Sequence, residues 1–261
     1  HHQAQQQRHQ PLHAQHVLAL NAHDRVRRRH HPQRTTERHQ LDWPEQRVCQ
    51  RFGERQVDEA ARVIGIDKAA EGGHRAIAVG SGKTAITSTL LALLQSGDHL
   101  LVTDSVYAPT RHFCTGTLTR FGIETTFYDP AIGAGIADLI RPTTRIVFTE
   151  SPGSLTFEMQ DIPAIAAVAH ARDCLVIMDN TWASPLYCKP FSLGADISIQ
   201  AATKYIGGHS DIMFGTIAAN AKAWPLITEA IRLLGVCAGP DDVFLALRGL
   251  RTLAVRLRSE E

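Results

Sequence analysis

Short apolar runs alternate with helical stretches from about residue 60 onward, and this alternation constrains the fold more than any other feature. The apolar runs predict strands at residues 99–104, 125–129, 145–150, 174–179, 196–200 and 214–219. The stretches around them predict helices at residues 84–95, 109–121, 160–172, 221–234 and 241–257. Strand–helix alternation with short buried strands is typical of a mainly parallel sheet covered on both faces. We therefore predict a three-layer αβα fold.

The first 40 residues have a different composition from the rest. His, Gln and Arg supply 24 of these positions, against two acidic residues, Asp24 and Glu37. The stretch has no strand or helix periodicity and few large apolar groups, so we expect disorder. A basic arm for nucleic acid or metal, centred on 27–31, is one alternative, and a shifted reading frame is another. We divide the chain into an atypical segment, 1–70, and a domain, 71–261.

Composition excludes several classes of protein. No apolar run approaches the roughly 20 residues that a membrane-spanning helix needs, and the start has no apolar signal core. The five cysteines are scattered without a CxxC pair, which is typical of a reducing cytoplasm. The formal net charge is only +1, so no overall field attracts nucleic acid. We expect a cytoplasmic protein without a membrane or nucleic-acid partner.

Reactive or polar groups follow several of the predicted strands, where ligands bind in parallel sheets. They are Tyr107 after 99–104, the segment 150–153, Asp179 with Asn180, and Thr203 with Lys204. Lys204 is one of only five lysines and lies between two apolar strands. A desolvated lysine there could form a Schiff base, although an ordinary loop lysine is the alternative.

Asp179 ends the most apolar strand of the chain. A carboxylate in that place costs several kcal/mol to bury unless it is paired. A pyridinium N–H would be such a partner, and a helix cap or a salt bridge is the alternative. Tyr107 could stack on a flat cofactor ring or be an ordinary loop tyrosine.

Gly80, Ser81 and Gly82 precede a predicted helix and could offer backbone amides to a phosphate. The sequence continues with Lys83 and Thr84, as in the end of a P-loop. That motif would need glycine at position 77, where the chain has Ile77. A nucleotide-binding protein is therefore a disfavoured alternative.

Four segments match one known pattern in order and spacing: DSVYAPTR (104–111), ESPGSLTFE (150–158), MDNTWA (178–183) and SIQAATKYIGGHSD (198–211). With them the chain resembles the Cys/Met-metabolism family of pyridoxal-phosphate enzymes, from about residue 71 to the C-terminus. The residues at 150–154 resemble the β-lyase branch, since γ-acting relatives usually show Asn-Pro there.

The resemblance implies pyridoxal 5′-phosphate (PLP) as cofactor and a role for each matching residue. Lys204 would hold the cofactor covalently and shuttle protons, Asp179 would pair with the ring nitrogen, and Tyr107 would stack on the ring. The phosphate would contact Ser81, Gly82, Lys83 and Thr203.

The implied reaction is β-elimination from L-cystathionine, which gives homocysteine, pyruvate and ammonia. Relatives are typically tetramers built from dimers that share active sites, so we expect a homo-oligomer. A γ-acting synthase or lyase and an inactive fragment stay open as alternatives.

The chain departs from the family pattern in three places. Lys83 stands in a turn that usually reads Pro-Ser-Gly followed by apolar residues. Residues before about 70 lack the family's Tyr-x-Arg arm, as a frameshift would produce. We also expect the smaller C-terminal domain, with its carboxylate-binding arginine, to be truncated at Glu261.

Overall fold

The structure, a computed structural model, describes residues 71–259, all within one compact unit. The expectations for residues 1–70 lie outside the described residues. The described part contains one sheet of seven strands: β1 (Arg75–Val79), β2 (His99–Thr103), β3 (Glu124–Tyr128), β4 (Thr144–Glu150), β5 (Leu175–Asp179), β6 (Ile197–Gln200) and β7 (Gly215–Ala219).

The strand order is β1-β7-β6-β5-β4-β2-β3. The pairs from β3 through β6 are parallel, whereas β7 runs antiparallel to both of its neighbours. The mainly parallel sheet is therefore confirmed. Sequence reasoning missed β1, a five-residue edge strand that pairs only with β7 and is followed at once by Gly80.

Helices lie at the five predicted places, and one short helix, Ser184–Tyr187, was not predicted. They are α1 (Gly82–Leu93), α2 (Ala108–His112), α3 (Ile162–His170), α4 (Ser184–Tyr187), α5 (Trp224–Leu233), α6 (Pro240–Leu250) and α7 (Leu253–Ser259). A π-helical segment, Phe113–Leu118, continues α2, and 3-10 turns cover Gly133–Asp138 and Pro190–Leu193. None of the helices within 71–259 has the length and apolar character that crossing a bilayer requires.

The predicted helix at 241–257 is two helices, α6 and α7. The Thr252 hydroxyl and the Thr252 amide both donate to the Gly249 carbonyl, at 3.1 and 3.0 Å. Local bonds of this kind compete with the regular helical ladder, so the helix ends there and restarts.

Apolar side chains pack on both faces of the sheet. On one face, Val102, Phe148 and Ile177 belong to a core with helices α1 and α5. On the other, Val147 and Val176 pack with α3, and Ala218 packs with α6 and α7. Each fully buried large side chain contributes about 1.5–3 kcal/mol. Because helices cover both faces, the three-layer αβα prediction is confirmed.

Candidate active site

The carboxyl ends of β4, β5 and β6 lie side by side and end at Glu150, Asp179 and Gln200. Parallel pairing places Glu150 directly beside Asp179 and Asp179 beside Ile199. The chain after β6 leads within four residues to Lys204. The topology thus brings the segments of Asp179 and Lys204 to one edge, as the sequence predicted.

Asp179 is a buried carboxylate, with 6% of its surface exposed. Its Oδ1 accepts hydrogen bonds from the Thr181 amide at 3.0 Å and the Thr181 hydroxyl at 2.6 Å. Within residues 71–259, nothing donates to Oδ2 and no cation pairs with the carboxylate. Burial raises the pKa of Asp179, and the two bonds from Thr181 act against that rise. The carboxylate therefore has room for one strong, charged donor.

Thr181 connects Asp179 to the turn that carries Lys204. Its hydroxyl oxygen accepts the Ala201 amide at 2.8 Å while its proton goes to Asp179. The turn is then closed by the Lys204 amide, which donates to Ala201 O at 2.9 Å, and by the Gly208 amide, which donates to Lys204 O at 2.8 Å. The backbone on both sides of Lys204 is thereby fixed relative to β5.

The expectation of a desolvated lysine is wrong for this structure, because Lys204 is exposed. The chain leaves the sheet after Gln200 and makes tight turns, so Lys204 lies outside the apolar core. A lysine at the rim of the site can still act as a nucleophile once a ligand covers it.

The Thr203 hydroxyl is engaged with Phe214, the residue that precedes β7. It donates to Phe214 O at 3.1 Å and accepts the Phe214 amide at 2.8 Å. A bond from this hydroxyl to a phosphate would have to replace the one to Phe214 O. Its phosphate role stays a prediction, and the contact that the structure gives is an anchor for the start of the Lys204 turn.

Helix α1 presents its N-terminus next to the same turn. Ser81 is the N-cap, since its Oγ accepts the Thr84 amide at 3.0 Å. Gly82 lies against Ala201 so closely that a Cβ on it would stand 2.5 Å from the Ala201 Cβ. Lys83 is exposed in the first turn. A helix N-terminus with a neighbouring cation is a suitable phosphate site.

The nucleotide alternative has no support from this turn. Ile77, where a P-loop would need glycine, is buried in β1 and pairs with Ile217 of β7. The loop between β1 and α1 is therefore only two residues long, too short for phosphate-wrapping P-loop geometry.

Tyr107 precedes α2 and has 47% of its surface exposed. Its amide donates to Glu150 Oε2 at 2.9 Å. Arg111, one turn later, pairs with Asp104 at 2.5 Å and lies 4.0 Å from the Phe127 ring centroid. The tyrosine ring is thus available at the rim while its backbone is tied to β4.

A buried polar cluster lies behind the edge. Glu71 Oε1 accepts from Gln200 at 2.6 Å and from Asn180, the neighbour of Asp179, at 3.2 Å. Burial raises the pKa of Glu71, and the bonds from Gln200 and Asn180 lower it. These bonds join the ends of β5 and β6 and hold the backbone next to Asp179.

Sequence reasoning missed three residues that organise this edge: Thr181, Ala201 and Glu71. Thr181 stands two residues after Asp179, a spacing at which a side chain and backbone commonly bond, so it could have been found. Ala201 acts through its amide and its small size, and Glu71 through a contact far along the chain, which no local pattern predicts.

The residues present fit PLP. No group of residues 71–259 donates to Asp179 Oδ2, so this oxygen can take a pyridinium N–H, and the α1 N-terminus with Lys83 suits the phosphate. Ala201 lies between these groups, since it bonds to Thr181 and lies against Gly82, and the Lys204 amide donates to its carbonyl. The donor set is therefore anionic where the ring nitrogen would lie and cationic near the phosphate.

Comparison with known proteins agrees with this chemistry. The family model of the Cys/Met metabolism PLP-dependent enzymes matches residues 62–261. A putative cystathionine beta-lyase of Rhizobium johnstonii is 56% identical over 189 residues, which are 72% of this chain and 48% of that protein. A cystathionine beta-lyase of Escherichia coli is 44% identical over 190 residues, 72% of this chain and 48% of that protein. This chain spans about half the length of these curated relatives.

A solved structure, cystathionine gamma-lyase of Lactobacillus plantarum complexed with L-serine, has the same fold. It superposes with a TM-score of 0.71 at 34% identity and covers 74% of this chain and 51% of its own. The shared fold thus agrees with the family match.

Proposed function

Because this chain belongs to the family of Cys/Met metabolism PLP-dependent enzymes, we propose that it is the cofactor-binding part of a carbon–sulfur β-lyase. Its substrate would be L-cystathionine, cleaved to homocysteine, pyruvate and ammonia. The observation that carries the proposal is the bonded path from Asp179 through Thr181 and Ala201 to the Lys204 turn. The names of the relatives at 44–56% identity support the substrate and the β-elimination.

Each residue has a task that follows from its place. When bound, PLP withdraws electrons from the α-carbon of an amino acid through its protonated ring nitrogen. Asp179 would keep that nitrogen protonated by supplying the buried counter-charge. Lys204 Nζ would hold the cofactor covalently, and after the substrate amine has displaced it, would take the α-proton and return a proton later.

The residues at the rim of the site would bind the phosphate and shield the cofactor ring. The amides at the start of α1 and the charge of Lys83 would bind the phosphate, with Ser81 fixing the first turn. The half-exposed ring of Tyr107 would stack on the cofactor and exclude water from one face. We also propose a homo-oligomer for the whole protein, on the strength of the family resemblance alone.

A γ-acting enzyme is the second candidate, because the Lactobacillus plantarum structure with the same fold is a gamma-lyase. The two reactions differ in their keto acid. β-Elimination from L-cystathionine releases pyruvate, whereas γ-elimination releases 2-oxobutyrate. The sequence at 150–154 supports the β-lyase, since it lacks the Asn-Pro of γ-acting relatives.

The test begins with cofactor binding to the full chain. PLP is titrated into the parent and into Lys204→Ala, and the visible absorbance is followed. Borohydride reduction and peptide mass spectrometry then locate the attachment. We expect saturable absorbance and a label on Lys204 in the parent only. Equal absorbance in the variant, or a label on another lysine, contradicts the proposal.

Turnover is measured next on the loaded chain, with L-cystathionine as substrate. Pyruvate in stoichiometric amount with homocysteine supports the β-lyase. 2-Oxobutyrate with cysteine supports the γ-acting alternative, and labelled Lys204 without either product identifies an inactive cofactor-binding fragment.

A further inference from the structure

Glu150 lies at the same edge as the proposed cofactor residues but has no role in the reaction as described. It ends β4 in register with Asp179, which ends β5. Side chains at paired positions of neighbouring strands leave the sheet on the same face, about 5 Å apart at Cβ. Glu150 is only 5% exposed, so two carboxyl groups are buried together.

Within the described part of the chain, the charged groups around Glu150 include no cation paired with it. Asp179 faces it from β5, and Glu71 acts on Asp179 from behind. Arg111 of α2 is paired with Asp104 at 2.5 Å. Within residues 71–259, no arginine, lysine or histidine forms an ion pair with Glu150 or Asp179. Two adjacent buried carboxylates without a cation cannot both stay ionised cheaply, so one holds a proton.

Hydrogen bonding decides whether Glu150 or Asp179 holds the proton. Asp179 accepts two bonds from Thr181, and both stabilise its ionised form. Glu150 accepts one bond, from the Tyr107 amide, and this bond needs only one of its oxygens. The ionised form is therefore better supported on Asp179, and the proton belongs on Glu150.

The electrostatics agree with the geometry. Burial, and then the charge of Asp179, raise the pKa of Glu150 to about 8, while the Tyr107 amide lowers it. A neutral Glu150 leaves a single negative charge on the Glu150–Asp179 pair, which matches a single pyridinium charge.

We propose that Glu150 is a positioning residue that carries a proton at neutral pH, leaves Asp179 as the one charged carboxylate, and fixes the backbone of Tyr107. This inference rests on the proposed function for the roles of Asp179 and Tyr107. Glu150 of β4 thereby links β5 with α2. Its proton keeps the charge on Asp179, and its oxygen fixes the backbone of Tyr107.

The test compares Glu150→Gln, Glu150→Ala and the exposed control Glu158→Gln in the full chain. Gln keeps an oxygen that can accept the Tyr107 amide but has no titrating proton. Ala has neither the oxygen nor the proton. At neutral pH we expect Glu150→Gln to bind PLP within about threefold of the parent, and Glu150→Ala about tenfold more weakly. Equal affinities of the Gln and Ala variants overturn the positioning of Tyr107.

The proton assignment has its own readout. The PLP dissociation constant and the visible spectrum are followed across pH for each protein. All of these proteins share every other ionisable group of the loaded chain except the one replaced in the control, so the difference between parent and Glu150→Gln isolates Glu150. We expect a transition near pH 8 in the parent and in Glu158→Gln that Glu150→Gln lacks. Superposed profiles of parent and Glu150→Gln overturn the assignment.

Failure of the proposed function is distinguishable from failure of this inference. If the parent binds no PLP, the proposed function fails, and urea unfolding across pH without cofactor still tests Glu150. A folded-state pKa above the unfolded value makes the parent lose stability as pH rises from about 4.5 to about 8. Glu150→Gln flattens that part of the profile if the inference holds, and leaves it unchanged if it does not.

Discussion

The Ala201 amide donates to the Thr181 hydroxyl oxygen at 2.8 Å, and this bond joins the end of β5 to the turn after β6. Because the same hydroxyl donates to Asp179 at 2.6 Å, one threonine serves both the buried acid and the backbone near Lys204. This single side chain therefore contributes to the placement of both groups.

Replacing Thr181 with valine keeps the shape and removes both of its hydroxyl bonds. Asp179 loses a charge-assisted donor and the Ala201 amide loses its acceptor. Bonds to charged groups contribute about 1.5–3 kcal/mol, so we expect PLP to bind about 10- to 100-fold more weakly. Absorbance titration measures this, with Thr181→Ser as the control that restores affinity. A valine variant that binds like the parent contradicts the prediction.

The close approach of Gly82 to Ala201 leaves no room for a methyl group. We expect Gly82→Ala to push α1 away from the Lys204 turn, to cost about 1–3 kcal/mol of unfolding free energy, and to weaken phosphate binding. Gly116→Ala is the matched control, since nothing lies within 4 Å of its added Cβ. Urea unfolding measures the free energy of unfolding of both variants. An equal loss in Gly82→Ala and Gly116→Ala would show that the contact with Ala201 is unimportant.

Buried His99 predicts a loss of stability in acid. Its Nδ1 and Nε2 lie 2.8 and 2.9 Å from the hydroxyls of Thr144 and Thr126. Burial, and then the charge of Arg141, lower its pKa below the usual 6.5. The unfolded chain therefore takes up the proton first, and stability falls as pH drops below about 6.5 towards the folded pKa.

His99→Gln removes this acid-dependent part of the unfolding free energy. Between about pH 7.5 and about pH 5.5 we expect the parent to lose more stability than the variant, with a slope of at most about 1.4 kcal/mol per pH unit for one proton. Urea midpoints at both pH values measure the difference. The exposed His112→Gln should keep the parent's slope, and an equal slope in His99→Gln would refute the prediction.

The sheet and most helices could be predicted from local patterns, because buried parallel strands such as Val176–Met178 are continuous apolar runs. Because ligands bind at the carboxyl ends of parallel strands, Asp179 and Lys204 could also be predicted to lie at one edge of the sheet. Local patterns could not give the exposure of Lys204, which depends on how the turn leaves the sheet. Nor could they give the pairing of Glu150 with Asp179, because register between strands is a long-range property.

The C-terminal helices hold the Lys204 turn from its other side. The guanidinium of Arg256 in α7 donates to Gly249 O at 2.8 Å, to Ile206 O at 3.3 Å and to the Thr252 hydroxyl at 3.0 Å. It also lies against Gly208, where a Cβ would meet Arg256 Nη2 at 2.9 Å. One side chain thus fastens α7 to α6 and both to the turn.

We expect Arg256→Ala to lower the unfolding free energy by about 1–3 kcal/mol, since the Ile206 carbonyl loses its Arg256 donor and the Gly249 carbonyl loses one of its donors. The turn should open as well, so trypsin should cleave after Lys204 faster than in the parent, before global unfolding. Arg256→Lys should recover little, because an ammonium cannot reproduce the planar fork. Arg258→Ala is the control, since Arg258 is exposed and makes no ion pair or side-chain hydrogen bond within residues 71–259. Cleavage at the parent's rate in Arg256→Ala would mean that the turn is held by β6, β7 and Thr181 alone.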